Sequence, residues 1–183
     1  MWYYARYEGN FLPSPKKTFN PMMIVAIVIL VPGTQFAANF IANLTGYIRP
    51  DWLQQYNELF ETSGITDTTF VTVLYSVILA PICEELIFRG VTMRCARKAL
   101  PFALANLIQA ALFGLFHLNW IQGIYAFALG IVLGYVCERG GSIYYSMGLH
   151  LLFNLWGTLS GFFPDPGNSV VVFVVVIVVT IVS

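Results

Sequence analysis

The chain has 183 residues, 58% of them hydrophobic and 10% charged, with nine Lys and Arg balancing nine Asp and Glu and a mean hydropathy of +0.74. Soluble domains are roughly a quarter charged, so this composition excludes both a water-soluble globule and a disordered chain and identifies a membrane protein. A net charge of zero offers no basic face for phosphates, which excludes nucleic acid as a partner, and Cys83, Cys95 and Cys137 lack the paired spacing of a disulfide framework or zinc ribbon.

A helix crossing the hydrocarbon layer needs about 20 apolar residues. Pro, Gly and charge clusters divide the sequence into about six such segments, near 21–45, 68–92, 101–118, 122–138, 141–162 and 168–183. The expected fold is all-α, a polytopic transmembrane helix bundle forming one domain over 21–183 after a tail at 1–20. That tail lacks the apolar core and small-residue cleavage site of a signal peptide, so it is expected to be retained. The first span carries Pro32-Gly33 and polar Gln35, Asn39 and Asn43, which predicts a kink or contact with other helices. Between the first two spans, Gly46 to Asp67 is acidic and contains Trp52 and Tyr56, the pattern of a short surface helix. The final run, Val170 to Val182, is nearly all β-branched and has no cap or charged flank, so the expectation is that the native span continues or that the chain is cut short.

Lys and Arg accumulate on the cytoplasmic side of a membrane. A cytoplasmic N-terminus assigns Arg6, Lys16, Lys17, Arg94, Arg97, Lys98 and Arg139 to that side, leaving Arg49 outside and Arg89 within a span. The ionisable groups then left inside spans are Glu84, Glu85, Arg89, His117 and His150. Such groups are costly in lipid and mark function.

Glu85 and Arg89 stand four apart, acid first, the order that favours an ion pair within one helix. Glu84 points about 100° away with no partner three or four residues on, so it is left to meet another helix. Residues 84 and 117 are equidistant from the Leu100-Pro101 turn, which places Glu84 and His117 at one depth in an antiparallel hairpin. Asn106, Gln109, Phe113 and His117 draw a partly polar stripe facing the bundle. His150 lies about 15 Å beyond the turn at Gly140, a depth comparable to that of Glu84. Asn154 follows one turn later on the same face and carries side-chain N–H donors.

This constellation suits peptide hydrolysis. Glu84 with His117 would hold and deprotonate water, while His150 and Asn154 would stabilise the oxyanion. The alternative uses Glu84, His117 and His150 as ligands of a catalytic zinc, and spacing alone does not separate the two. Neither histidine lies in an H-E-x-x-H motif. Asp51, Asp67 and Asp165 fall in loops or at span edges, which argues against an aspartyl site, and Ser146 with His150 lacks a nucleophile turn. Gly130-x-x-x-Gly134 and Gly157-x-x-x-Gly161 read as close helix contacts within one chain, and Pro81 as a simple kink.

Taken in order, Glu84-Glu85-Leu-Ile-Phe-Arg89-Gly90, Phe113-Gly-Leu-Phe-His117 and His150-Leu-Leu-Phe-Asn154 resemble the E-E-x-x-x-R, F-x-x-x-H and H-x-x-x-N signatures of the CPBP (Abi) family of intramembrane proteases, which includes the type II CAAX prenyl endopeptidases. The resemblance covers residues 70–162. It implies a multi-pass protein of a bacterial plasma membrane that acts on a peptide or membrane protein, with Glu84 and His117 activating water, His150 and Asn154 forming the oxyanion site, and Glu85 and Arg89 supporting the first motif. Family members have been described both as metalloproteases and as glutamate proteases; the favoured reading here requires no cofactor, and zinc is the alternative. The prenyl endopeptidases carry more spans than this chain, so prenyl-cysteine cleavage is not carried over. Two rivals remain at this level: a non-catalytic immunity or scaffold protein of the same fold, and a proton or ion pathway.

Overall fold

The computed structural model describes residues 20–62 and 69–160, all of whose regular elements are helices. The expected sixth span at 168–183 and the tail at 1–19 lie outside the described residues.

Helix α1 (Pro21–Ile48) begins where the Asn20 side-chain oxygen accepts the Met22 amide at 3.0 Å, with Pro21 in the first turn where its missing N–H is harmless. The helix runs on through Pro32 instead of ending there. The Thr34 hydroxyl donates back to the carbonyls of Leu30 and Val31, both at 2.9 Å, beside the hydrogen bond that proline removes. Its buried residues, Ile27, Val31, Ala38 and Gly46, form a narrow stripe against the rest of the bundle, while Val25, Val28, Ile29 and Phe40 face outward. That outward apolar surface suits lipid.

Helix α2 (Pro50–Thr62) is the expected surface helix. Arg49 donates to both Asp51 carboxylate oxygens, at 2.9 and 2.6 Å, and this contact holds the Asp51 carboxyl below its ordinary range. Trp52 stacks on Trp120 with ring centroids 5.2 Å apart, which ties α2 to the start of α5.

Helix α3 (Phe70–Arg97) extends five residues beyond the expected end at 92. Helix α4 (Phe102–Phe116) follows the Pro101 turn, α5 (Trp120–Gly140) is capped by the Asn119 side chain, and α6 (Ile143–Ser160) follows Gly141, whose φ of 65° is the left-handed turn that suits glycine. Among the described residues α1, α3 and α5 are long and apolar enough to cross a membrane. The 15 residues of α4 reach only about 22 Å, shorter than a hydrocarbon layer.

The two ends of the bundle differ in chemistry. At one end Arg97 pairs with Glu138 at 3.1 Å, Arg139 donates to the Tyr135 hydroxyl, and the Asn20 amide donates to the Tyr145 hydroxyl. The Trp52–Trp120 stack closes the other.

Packing is tightest between α4 and α5, where glycines let backbones approach. A Cβ on Gly130 would lie 3.1 Å from Ala110 Cα, and one on Gly134 would lie 1.9 Å from Asn106 Oδ1 and 2.7 Å from Gln109 Nε2. Gly130 and Gly134 thus serve contact within the chain, as their spacing predicts. Gly134→Ala is expected to destabilise the bundle by about 1–3 kcal/mol through overpacking. Thermal unfolding in detergent checks this against Gly33→Ala, a site with nothing within 4 Å, which should match or exceed wild type.

Candidate active site

The first motif sits on a short α-helical stretch, Ala80–Glu85, bracketed by two π-helical stretches, Leu74–Leu79 and Leu86–Met93. Wider π turns commonly occur at functional sites because they re-aim side chains. Their cause here is partly visible in the sequence. The Ala80 amide reaches five residues back to the Tyr75 carbonyl, and the same register would call on residue 81 to satisfy Ser76. Residue 81 is proline and has no N–H. The Ser76 carbonyl instead accepts the Asn154 amide at 2.8 Å from α6. Pro81 therefore does more than kink the helix, since it frees a carbonyl that a neighbouring helix uses.

Around this stretch the chain gathers its buried charges. Arg89 Nη1 donates to Glu85 Oε1 at 2.9 Å, and both side chains are fully buried. The same carboxylate oxygen lies 2.9 Å from His150 Nδ1, so the pair expected within α3 extends to α6. Ionised by its pairing with Arg89, Glu85 can only accept, and Nδ1 is therefore the protonated nitrogen of His150. The other ring nitrogen, Nε2, stands 3.6 Å from Glu84 Oε2. Glu84 does meet another helix, as its phase on α3 requires, and it retains 16% side-chain exposure where Glu85 has none.

His117 is the residue after the last turn of α4. Its Nδ1 lies 2.8 Å from the Phe113 carbonyl, which fixes Nδ1 as the donor and leaves Nε2 with a bare lone pair. No hydrogen bond or ion pair joins His117 to Glu84 among the described residues; both sides of the site are instead linked through Phe113. The Phe113 ring, 1% exposed, meets His117 edge-on at 4.9 Å and His150 at 5.7 Å, and carries the Arg89 guanidinium over its face at 4.5 Å. Leu118, next in the chain, takes a left-handed φ of 55° before Asn119 caps α5.

Asn154 lies one turn past His150, yet its amide is tied to Ser76, so at least one of its two N–H groups serves helix packing. The Ser146 hydroxyl donates to the Ile143 carbonyl at 3.0 Å, consistent with a structural part for that serine. Sequence reasoning did not connect Asn106 and Gln109 to the site, although both lie on the polar stripe that ends in His117. Gln109 Nε2 donates to the Gly130 carbonyl at 2.8 Å, and that carbonyl also accepts Arg89 Nη2 at 3.2 Å. The signal available in the sequence was Gly130 and Gly134, small residues opposite two large amides.

A metal would require a converging donor set. Among the described residues no three Asp, Glu, His or Cys side chains group as metal ligands.

Residues 66–156 match the family model described as type II CAAX prenyl endopeptidase Rce1-like. This core belongs to the Rce1-like family. The matched stretch is about half of the chain and holds all three motifs, ending just past Asn154. No curated protein and no solved structure matches the chain. The Rce1-like family supports a protease, and the apolar helices place that protease in a membrane.

Proposed function

We propose that the chain is an intramembrane endopeptidase that hydrolyses a peptide bond in a membrane-associated peptide or protein. The observation that carries this reading is the orientation of His150 between two acids, Nδ1 on Glu85 and Nε2 facing Glu84. One carboxylate is thereby spent on orienting the ring, and the other stays partly exposed and free to work.

Glu84 takes a proton from water held with the bare Nε2 of His117, and the water oxygen bonds to the scissile carbonyl carbon. The carbonyl electrons move onto oxygen. His150 can donate to that oxyanion through Nε2 when its ring is the imidazolium, whose charge then lies between Glu84 and Glu85. The second N–H of Asn154 is the further donor. Collapse breaks the C–N bond, and Glu84 returns its proton to the leaving amine, which regenerates the carboxylate. The Arg-rich end of the bundle, with the N-terminus of α1, is proposed to face the cytoplasm.

The test is cleavage of a library of membrane-anchored peptides in proteoliposomes, with new termini read by mass spectrometry. Wild type should generate defined termini, His117→Ala should reduce them by about 10²-fold or more, and a chelator should leave them unchanged. Equal cleavage by His117→Ala would remove its assigned role. Loss of activity on chelation, restored by zinc, would favour the metal mechanism.

A further inference from the structure

Gln109 is fully buried on α4, where an apolar residue would pack without any polar group to satisfy. Its amide nitrogen donates both to Asn106 Oδ1 at 2.7 Å and to the Gly130 carbonyl at 2.8 Å. Asn106 in turn donates to the Ile131 carbonyl at 3.0 Å, so two side chains of α4 hold successive carbonyls of α5. The Gly130 carbonyl is also the second anchor of Arg89, 3.2 Å from Nη2, while Nη1 of the same guanidinium binds Glu85. The chain of contacts then passes from Glu85 to His150 Nδ1. It touches α3, α4, α5 and α6 without a solvent-exposed link.

We infer that Gln109 is a positioning residue, fixing the Gly130 carbonyl that aims Arg89 at Glu85 and, through that carboxylate, holding His150 with Nδ1 protonated. This rests on the reading of His150 as part of the site. The guanidinium is planar, so its two contacts fix its tilt, and a displaced Gly130 carbonyl would let the Glu85 contact swing. Gly130 is suited to the role because its missing side chain lets Ala110 and Phe113 approach.

The chain contains two histidines, which makes ¹⁵N-histidine NMR in detergent a direct readout. In wild type the His150 signals should show a protonated Nδ1, with His117→Ala supplying the assignment. Gln109→Met, apolar and similar in length, should move the His150 signals toward a tautomer mixture while leaving those of His117 in place. Its kcat should fall about tenfold with KM unchanged, the scale of one lost supporting hydrogen bond. Asn106→Ala, which removes the support behind Gln109 and the bond to the Ile131 carbonyl but leaves the Gln109 contact to the Gly130 carbonyl, should shift His150 in the same direction by less, and it decides the matter if Gln109→Met fails to fold. His150 signals that superimpose on wild type in the folded variant would overturn the inference. So would a shifted His150 with unchanged kcat. The NMR arm stands without any cleavage assay, so a wild type that cuts nothing would reject the proposed function while the tether is still judged by its spectra.

Discussion

Glu84→Gln is expected to lower turnover by about 10²–10⁴-fold, the range that a positioned general base contributes. The substitution keeps the size and hydrogen-bonding reach of the side chain but cannot take a proton from water. Its effect on stability should be small, because Glu84 is partly exposed and the nearest ring nitrogen, His150 Nε2, stands 3.6 Å away, beyond a good hydrogen bond. Thermal unfolding of the purified variant should therefore lie close to wild type while cleavage is lost. That separation distinguishes a catalytic acid from a structural one. A binding or scaffold protein would keep its role with glutamine at this position, and full turnover by Glu84→Gln would reject the assignment of base. Glu85→Gln should behave in the opposite manner, since Glu85 is wholly buried and holds both Arg89 and His150. Its loss should appear first as lower stability.

The contrast between these neighbouring acids shows where the sequence could be read and where it could not. Helical periodicity was enough to separate Glu84 from Glu85 by about 100° and to pair Glu85 with Arg89. Counting from the Pro101 turn set His117 near the level of the motif. The partner of Glu84 was harder to assign, because sequence gives the depth of a residue but not the rotation of one helix against another. The hairpin arithmetic pointed to His117, whereas the contact found within 4 Å is to His150, from α6. Two π stretches contribute to this, since each widens the turn and shifts the phase of the later residues of α3. At Pro32, where a kink or contact with other helices was expected, the helix continues, and the Thr34 hydroxyl bonds back to the Leu30 and Val31 carbonyls of the preceding turn. At Pro81 the freed Ser76 carbonyl required a donor 78 residues away, and nothing local to the motif could name Asn154. Asn154 therefore cannot be credited only to an oxyanion site.

Arg89→Met is expected to produce the largest loss of stability of any single change, about 3–5 kcal/mol, because it strands a buried carboxylate. Arg89 supplies Glu85 with its cation at 2.9 Å, binds the Gly130 carbonyl and covers the Phe113 ring, all at 0% exposure. Methionine fills much of the same volume, so the loss reads the charge more than a cavity. The double variant Glu85→Gln with Arg89→Met should recover part of the lost stability, since neither charge then remains buried alone. Arg89→Lys should not substitute fully. Its ammonium is a single point of charge and cannot hold Glu85 and the Gly130 carbonyl with the fixed fork of a guanidinium. Thermal unfolding of wild type, Glu85→Gln, Arg89→Met, the double variant and Arg89→Lys in one detergent gives the comparison. Arg89→Met as stable as wild type, or a double variant weaker than the sum of the two singles, would show that the ion pair is not what holds α3 to the bundle. Cleavage should be lost in both Arg89 variants even where folding is retained at low temperature, because the hydrogen bond that orients His150 comes from the Glu85 carboxylate that Arg89 keeps in place.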